Sequence, residues 1–186
     1  MSNIDMNELQ ENILQVIQSI VQTDGLYKNF STNSPWKEKK IINHSAIRYG
    51  ILNYVAKFSL ANDTYLITEK CKKNLKEAGL ITKGKLLRKH KGKKNKFTFE
   101  HPVPSNVIAD LILFDPNDEK RIKNILLKTN LVTVLTYEEN SLLNKNLVAN
   151  MPNNWSYDSG DFFARYKKSA LEIPSERIEV HGAIKR

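Results

Sequence analysis

Glu100 and His101 stand side by side at the end of an apolar, aromatic run in "KFTFEHPVPSNVI", and two prolines, Pro102 and Pro104, follow them. A carboxylate is a hard oxygen ligand of the kind that suits Mg²⁺ or Mn²⁺. An imidazole titrates near working pH and can take a proton from water. Adjacent at a strand end, the two could hold a cation and activate a water molecule. The plain alternative is a strand terminator carrying a surface ion pair, and the neighbouring segments weigh between them.

Just upstream the chain is strongly cationic: eight of the 14 residues from Lys83 to Lys96 are Lys or Arg. Two runs with some alternation flank the turn-like "KGKKN", which predicts a hairpin from about Lys85 to Glu100. Lys85, Arg88, Lys89, Lys91, Lys93, Lys94 and Lys96 on such a hairpin would track a phosphate backbone beside the Glu-His pair, positioning a nucleic acid without reading its sequence. Further on, "DFFARYKKSAL" predicts a helix whose Arg165, with Lys167 or Lys168, offers more phosphate contacts. The whole chain carries a net charge of +9, with 29 Lys and Arg against 20 Asp and Glu, which favours polyanionic partners.

The elements that must position these groups alternate between helical and strand patterns. Asp5 with Glu8 forms a capping-box pattern, and Leu9, Ile13, Val16, Ile17 and Ile20 then recur at helical spacing until Asp24-Gly25. Ser34-Pro35 opens a second helical stretch running to Phe58, with His44 inside it as a structural residue. Thr68 caps a short basic helix that ends at Gly79. "SNVIADLILF" is apolar enough for a buried helix or strand, and "DPNDEKRIKNILLKT" predicts a helix from its Asp-Pro start and the spacing of Ile122, Ile125 and Leu126. "NLVTVLT" is the clearest strand, being dense in β-branched residues, and Thr136 can cap a helix over "YEENSLLNK". The pattern after Pro174 specifies no element.

The class is an α+β protein, helix-rich, with a small hairpin-helix motif. At 186 residues it fits a single domain, with a helical, DNA-contacting sub-region over 1–96 and a catalytic one over 97–186. The single cysteine, Cys71, excludes a disulfide within the chain, a four-cysteine zinc site and a two-cysteine zinc finger, and it fits a reducing cytoplasm. The N-terminus is polar and acidic where a signal peptide needs a basic start, and no run of about 18 apolar residues predicts a membrane span.

Taken in order, these pieces are a strand ending in Glu100-His101, Pro104 three residues after the histidine, an insertion, and "NLVTVLTYEEN" passing from strand into helix. This order, over residues 97–146, resembles the HNH family of ββα-metal nucleases, among them small restriction enzymes. The resemblance implies that Glu100 is a metal ligand, His101 the base that activates water, Asn130 the residue that orients the imidazole, and Asn140 the second metal ligand, with Mg²⁺ or Mn²⁺ as the cofactor. It departs from the family in having Glu before the base, a long insertion where a short glycine-containing linker is common, Asn140 where His is usual, and no paired cysteines. The expected activity is metal-dependent hydrolysis of phosphodiester bonds in duplex DNA, and a palindromic target would favour a twofold homodimer.

Two other classes compete. The stretch from Thr68 to Phe99 also looks like the end of a winged-helix DNA-binding module, its helix in the major groove and a lysine-rich wing on the phosphates. A ribonuclease or toxin using His101, Tyr137 or His181 as acid and base without metal is the third. Phe97 and Phe99 alternate on one strand face, which predicts core rather than a base-stacking platform, and this favours a duplex over a single strand.

Overall fold

The protein was described from a computed structural model, which covers residues 6–22, 41–88 and 97–181, the side chains of 41–46 excepted. The fold is α+β, and it divides into two compact units. One comprises Met1–Ala61 and Ser105–Asn130, the other Asn62–Pro104 and Leu131–Arg186. The division therefore does not fall at residue 96; a helical pair is inserted in the chain between two strands.

The first unit holds four helices, α1 (Glu8–Gln22), α2 (Ile41–Leu60), α4 (Ser105–Phe114) and α5 (Glu119–Lys128). Their apolar stripes face one another: Ile13, Leu14, Ile17 and Val21 of α1, Ile47, Ile51, Val55 and Phe58 of α2, Ile108 and Ile112 of α4, and Ile122, Ile125 and Leu126 of α5 are all buried. Helix ends are closed by side chains. The cap of α1 is a reciprocal pair in which Gln10 N–H donates to Asn7 Oδ1 at 2.9 Å and Asn7 N–H to Gln10 Oε1 at 3.2 Å. Asp5, the capping residue expected from sequence, lies outside the described residues. Asn7 Nδ2 and Gln10 Nε2 also donate to the carbonyls of Ala61 and Phe58 at the end of α2, the latter already accepting from Ala61 N–H at 3.3 Å. "SNVIADLILF" is a helix, and Asp118 rather than Asp115 caps α5, accepting from Arg121 N–H at 2.9 Å.

The second unit is built on a six-stranded mixed sheet of order β2-β3-β6-β1-β5-β4, whose strands are β1 (Thr64–Ile67), β2 (Ile81–Thr82), β3 (Lys85–Leu87), β4 (Phe97–Glu100), β5 (Thr133–Thr136) and β6 (Glu176–His181). β1 runs parallel to β5 and β3 parallel to β6; the other pairings are antiparallel. Helices α3 (Glu69–Glu77), α6 (Tyr137–Asn146) and α7 (Ala164–Lys168) complete the unit.

Three expectations need correction. The hairpin from Lys85 to Glu100 does not form: β3 and β4 lie in the same sheet but β6, β1 and β5 stand between them. The hairpin that does form is β2–β3, turned through Lys83 and Gly84, both with positive φ (51° and 75°). The segment after Pro174, read as unspecified, supplies β6 in the interior of the sheet, where it pairs with both β1 and β3. "TYLI", passed over in the sequence, is the central strand β1.

The caps of the sheet unit match their sequence. Thr68 Oγ1 accepts from Cys71 N–H, and α3 closes on Gly79 (φ 66°), with Leu80 N–H donating to Leu75 O and Gly79 N–H to Lys76 O. Thr136 caps α6 in a full capping box with Glu139. Glu139 Oε2 accepts from both Thr136 N–H at 2.8 Å and Thr68 Oγ1 at 3.0 Å, so one buried carboxylate joins the ends of the parallel strands β1 and β5. Among the described residues no helix is long and apolar enough to cross a membrane.

Candidate active site

β4 and β5 pair antiparallel, and β5 passes without a loop into α6, which packs on both strands. The register sets Glu100 opposite Thr133 and Thr98 opposite Leu135. Directly opposed residues share a sheet face, so Glu100 and Thr133 project from the same face as Leu135. That face is covered: Leu135 forms a buried cluster with Leu143 of α6 and Tyr166 of α7, with Phe163 and Leu171 packed against it. The opposite face carries Phe97, Phe99 and Tyr65, in edge-to-face contact with centroids 5.1–5.7 Å apart, the core role their alternation predicts.

Glu100 thus points into the layer of α6 and α7, where it meets Arg165. The Arg165 Nη1 donates to Glu100 Oε1 at 2.7 Å and to the His101 carbonyl at 3.2 Å, and Nη2 donates to the Leu147 carbonyl, the cap of α6, at 3.1 Å. The Arg165 side chain is 1% exposed against 22% for Glu100. This removes Arg165 from the phosphate contacts: it faces the protein interior, not solvent. Lys167 and Lys168 take the exposed side of α7, the former paired with Asp161 at 3.0 Å.

His101 is the residue after β4 and is partly buried, and the Pro102-Val103-Pro104 segment behind it is buried. Asn140 lies one turn into α6. It precedes the buried Leu143 by three residues and so shares the side of the helix turned to the sheet. Its Oδ1 is buried and makes no hydrogen bond. Beneath Glu100, burial pushes the Tyr166 phenol well above its ordinary range, while the neighbouring Thr133 hydroxyl draws it down.

The comparisons with known proteins add no family. No family model matches the chain, and no similar curated protein or solved structure was found.

The structure brings Glu100 and His101 together with Arg165 and sets Asn140 on the helix covering the same face. Asn130 closes the helical unit, its N–H donating to Leu127 O at the end of α5, three residues before Thr133. Lys85 is ion-paired with Glu179 at 2.8 Å, which with His181 holds the Glu179 carboxyl below its usual range. Arg88 donates to Asn62 O at 2.8 Å and lies over the Tyr65 ring, a bracing role. Lys89, Lys91, Lys93, Lys94 and Lys96 lie outside the described residues, as does the side chain of His44.

The metal-free acid–base trio does not converge. Tyr137 follows Thr136, at the opposite end of β5 from Thr133 and hence from Glu100. His181 is on β6, three strand positions from β4, or about 14 Å at ordinary strand spacing.

A hard cation needs oxygen donors, and the face under α6 offers two kinds. Arg165 engages only the Oε1 of Glu100, leaving the second carboxylate oxygen, and Asn140 contributes a buried amide oxygen with no partner. Both fit Mg²⁺ or Mn²⁺ better than a softer metal. Among the described residues no three His, Cys, Asp or Glu side chains gather as a metal group, so any further ligands would be water or substrate oxygens, as is common for Mg²⁺.

The partner of Glu100 was missed in the sequence, although "FFARY" carried a signal. An arginine inside an aromatic run, followed by two lysines on the next positions, leaves the lysines for solvent and the arginine for the core. The Thr136–Glu139 box was also present as T-x-x-E, three residues apart.

Proposed function

We propose that the sheet unit is a metal-dependent DNA endonuclease of the ββα type, hydrolysing phosphodiester bonds in duplex DNA in the manner of a small restriction enzyme. The observation that carries this reading is the antiparallel β4–β5 pair running directly into α6, with Glu100-His101 at the end of β4 and the unpartnered Asn140 Oδ1 on the covering helix. Glu100 and Asn140 would hold Mg²⁺ or Mn²⁺, which when bound neutralises charge at the scissile phosphate and the departing oxygen. His101, as the neutral imidazole, takes the proton of the attacking water. The lysine-rich run from Lys83 to Lys96 supplies affinity for the phosphate backbone.

The test is incubation of the purified protein with long duplex DNA in Mg²⁺, in Mn²⁺ and in chelator, with His101→Ala as control. Discrete metal-dependent fragments are expected, absent with His101→Ala although that variant binds DNA as wild type does. Cleavage by His101→Ala at the wild-type rate would remove the base, and binding without cleavage in any metal would leave a DNA-binding module. Replacing Lys91, Lys93 and Lys94 together should weaken binding and flatten its salt dependence.

A further inference from the structure

Arg165 is fully buried, and a guanidinium keeps its proton even there. Three acceptors meet its charge: the Glu100 carboxylate, the His101 carbonyl and the Leu147 carbonyl at the end of α6, where the helix dipole is negative. The guanidinium is planar and rigid, so a group that engages three acceptors fixes their mutual positions as well as neutralising charge. Two of the three belong to the residues assigned to chemistry. A brace serving the fold alone could join any two backbone carbonyls; this one orients the carboxylate of Glu100 through Oε1 and holds the backbone of His101 through its oxygen. The third acceptor ties both to α6, the helix that carries Asn140.

We propose that Arg165 is the positioning residue of this site, acting through Glu100 and His101 rather than on the substrate. The inference rests on the nuclease reading of the same site. Buried and held through both Nη atoms by protein acceptors, Arg165 is not placed to touch DNA, so its loss acts on turnover and not on binding. A shift of about 1 Å in a catalytic group can cost about 100-fold in rate.

Arg165→Lys and Arg165→Met separate the roles. Lysine retains the charge and the contact to Glu100 but cannot reach the Leu147 carbonyl at the same time. For each variant, the folded fraction is measured by near-ultraviolet circular dichroism, kcat and KM on duplex DNA per folded molecule, and the ring resonances of the four histidines by NMR, with His101 assigned from His101→Ala. We expect Arg165→Lys to fold, to lose about 100-fold in kcat with KM within about twofold of wild type, and to move the His101 resonance while that of His181 stays. Unchanged kcat per folded molecule with an unmoved His101 resonance would overturn the proposal. If Arg165→Met does not fold, Arg165→Lys decides alone. If the wild-type protein cuts no DNA in any metal, the nuclease reading falls, and the His101 resonance in Arg165→Lys still shows whether the clamp holds that turn.

Discussion

The helical and sheet units use polar side chains in different ways. In the helical unit they close backbone ends: Asn7 and Gln10 take the last carbonyls of α2, Arg121 donates to Leu111 O at 2.7 Å, and Thr129 Oγ1 donates to Ile125 O. Its principal ion pair, Arg48 with Asp110, is at the surface. In the sheet unit an arginine is wholly buried beside a carboxylate. Among the described residues, every buried side-chain polar atom without a hydrogen bond belongs to this unit, including Asn140 Oδ1, Arg165 Nε and Ser169 Oγ. An unsatisfied buried polar atom costs stability. A fold that concentrates such cost in the unit that also carries the Glu-His pair keeps its scaffold and its reactive groups apart.

The largest effect expected of this difference is on the Arg165–Glu100 pair. Removing one partner of a buried ion pair leaves the other charge uncompensated, and Arg165→Met should lower the unfolding free energy by about 3–5 kcal/mol. Urea titration measures it. A loss no greater than that of a surface substitution would mean that Glu100 finds solvent when its partner is gone, and the contrast between the units would weaken.

Next in size is Glu139, which alone satisfies the Thr136 N–H and the Thr68 hydroxyl at the ends of two parallel strands. Glu139→Ala should cost about 1–3 kcal/mol. The same carboxylate bears on Cys71: burial first, then the charges of Glu139 and Glu138, push its thiol up to about 12. A thiol reagent at neutral pH should therefore label Cys71 far more slowly in the folded protein than in denaturant. Fast labelling of the native protein would show that this junction opens readily.

The local signals of both units were readable in the sequence, and the non-local ones were not. Thr68, Gly79 and Thr136 each act within four residues, so type and spacing reveal them. Helix α5 was readable from Ile122, Ile125 and Leu126 because helical periodicity is local too. The pairing of β4 was not. The lysine run suggested a return to β3, whereas the partner, β5, lies beyond the inserted helices α4 and α5; strand partners are chosen by burial across the whole sheet, which no window of sequence contains. The same reason hid β6, whose alternation of buried Ile178 and Val180 with exposed Arg177 and Glu179 spans only a few residues at the chain's end. The Glu-His pair was legible as chemistry, since residue type carries that. Its clamp, 64 residues further along, was legible only as an arginine in aromatic company.

Arg48 is the control for the buried pair. Its guanidinium meets Asp110 through two bonds, at 2.7 and 3.1 Å, and is held above its ordinary pKa chiefly by the hydrogen bond to that carboxylate. Both side chains are substantially exposed, at 31% and 57%, and Arg48→Met should cost less than about 1 kcal/mol by the same titration. A loss as large as that of Arg165→Met would place a second buried brace in the helical unit.

The smallest stability effect is expected where the two units should differ most in function. Asn140 makes no hydrogen bond through its buried oxygen, so Asn140→Ala removes no paired interaction. Alanine is also the better helix former, by about 0.5 kcal/mol. The substitution should leave the urea midpoint where it is or raise it slightly, whereas metal-dependent cleavage should be lost. A destabilised Asn140→Ala would make the residue part of the packing between α6 and the sheet, and unchanged cleavage would remove it from the metal site. Only stability retained with activity lost fits a polar oxygen that the fold does not need and the chemistry does.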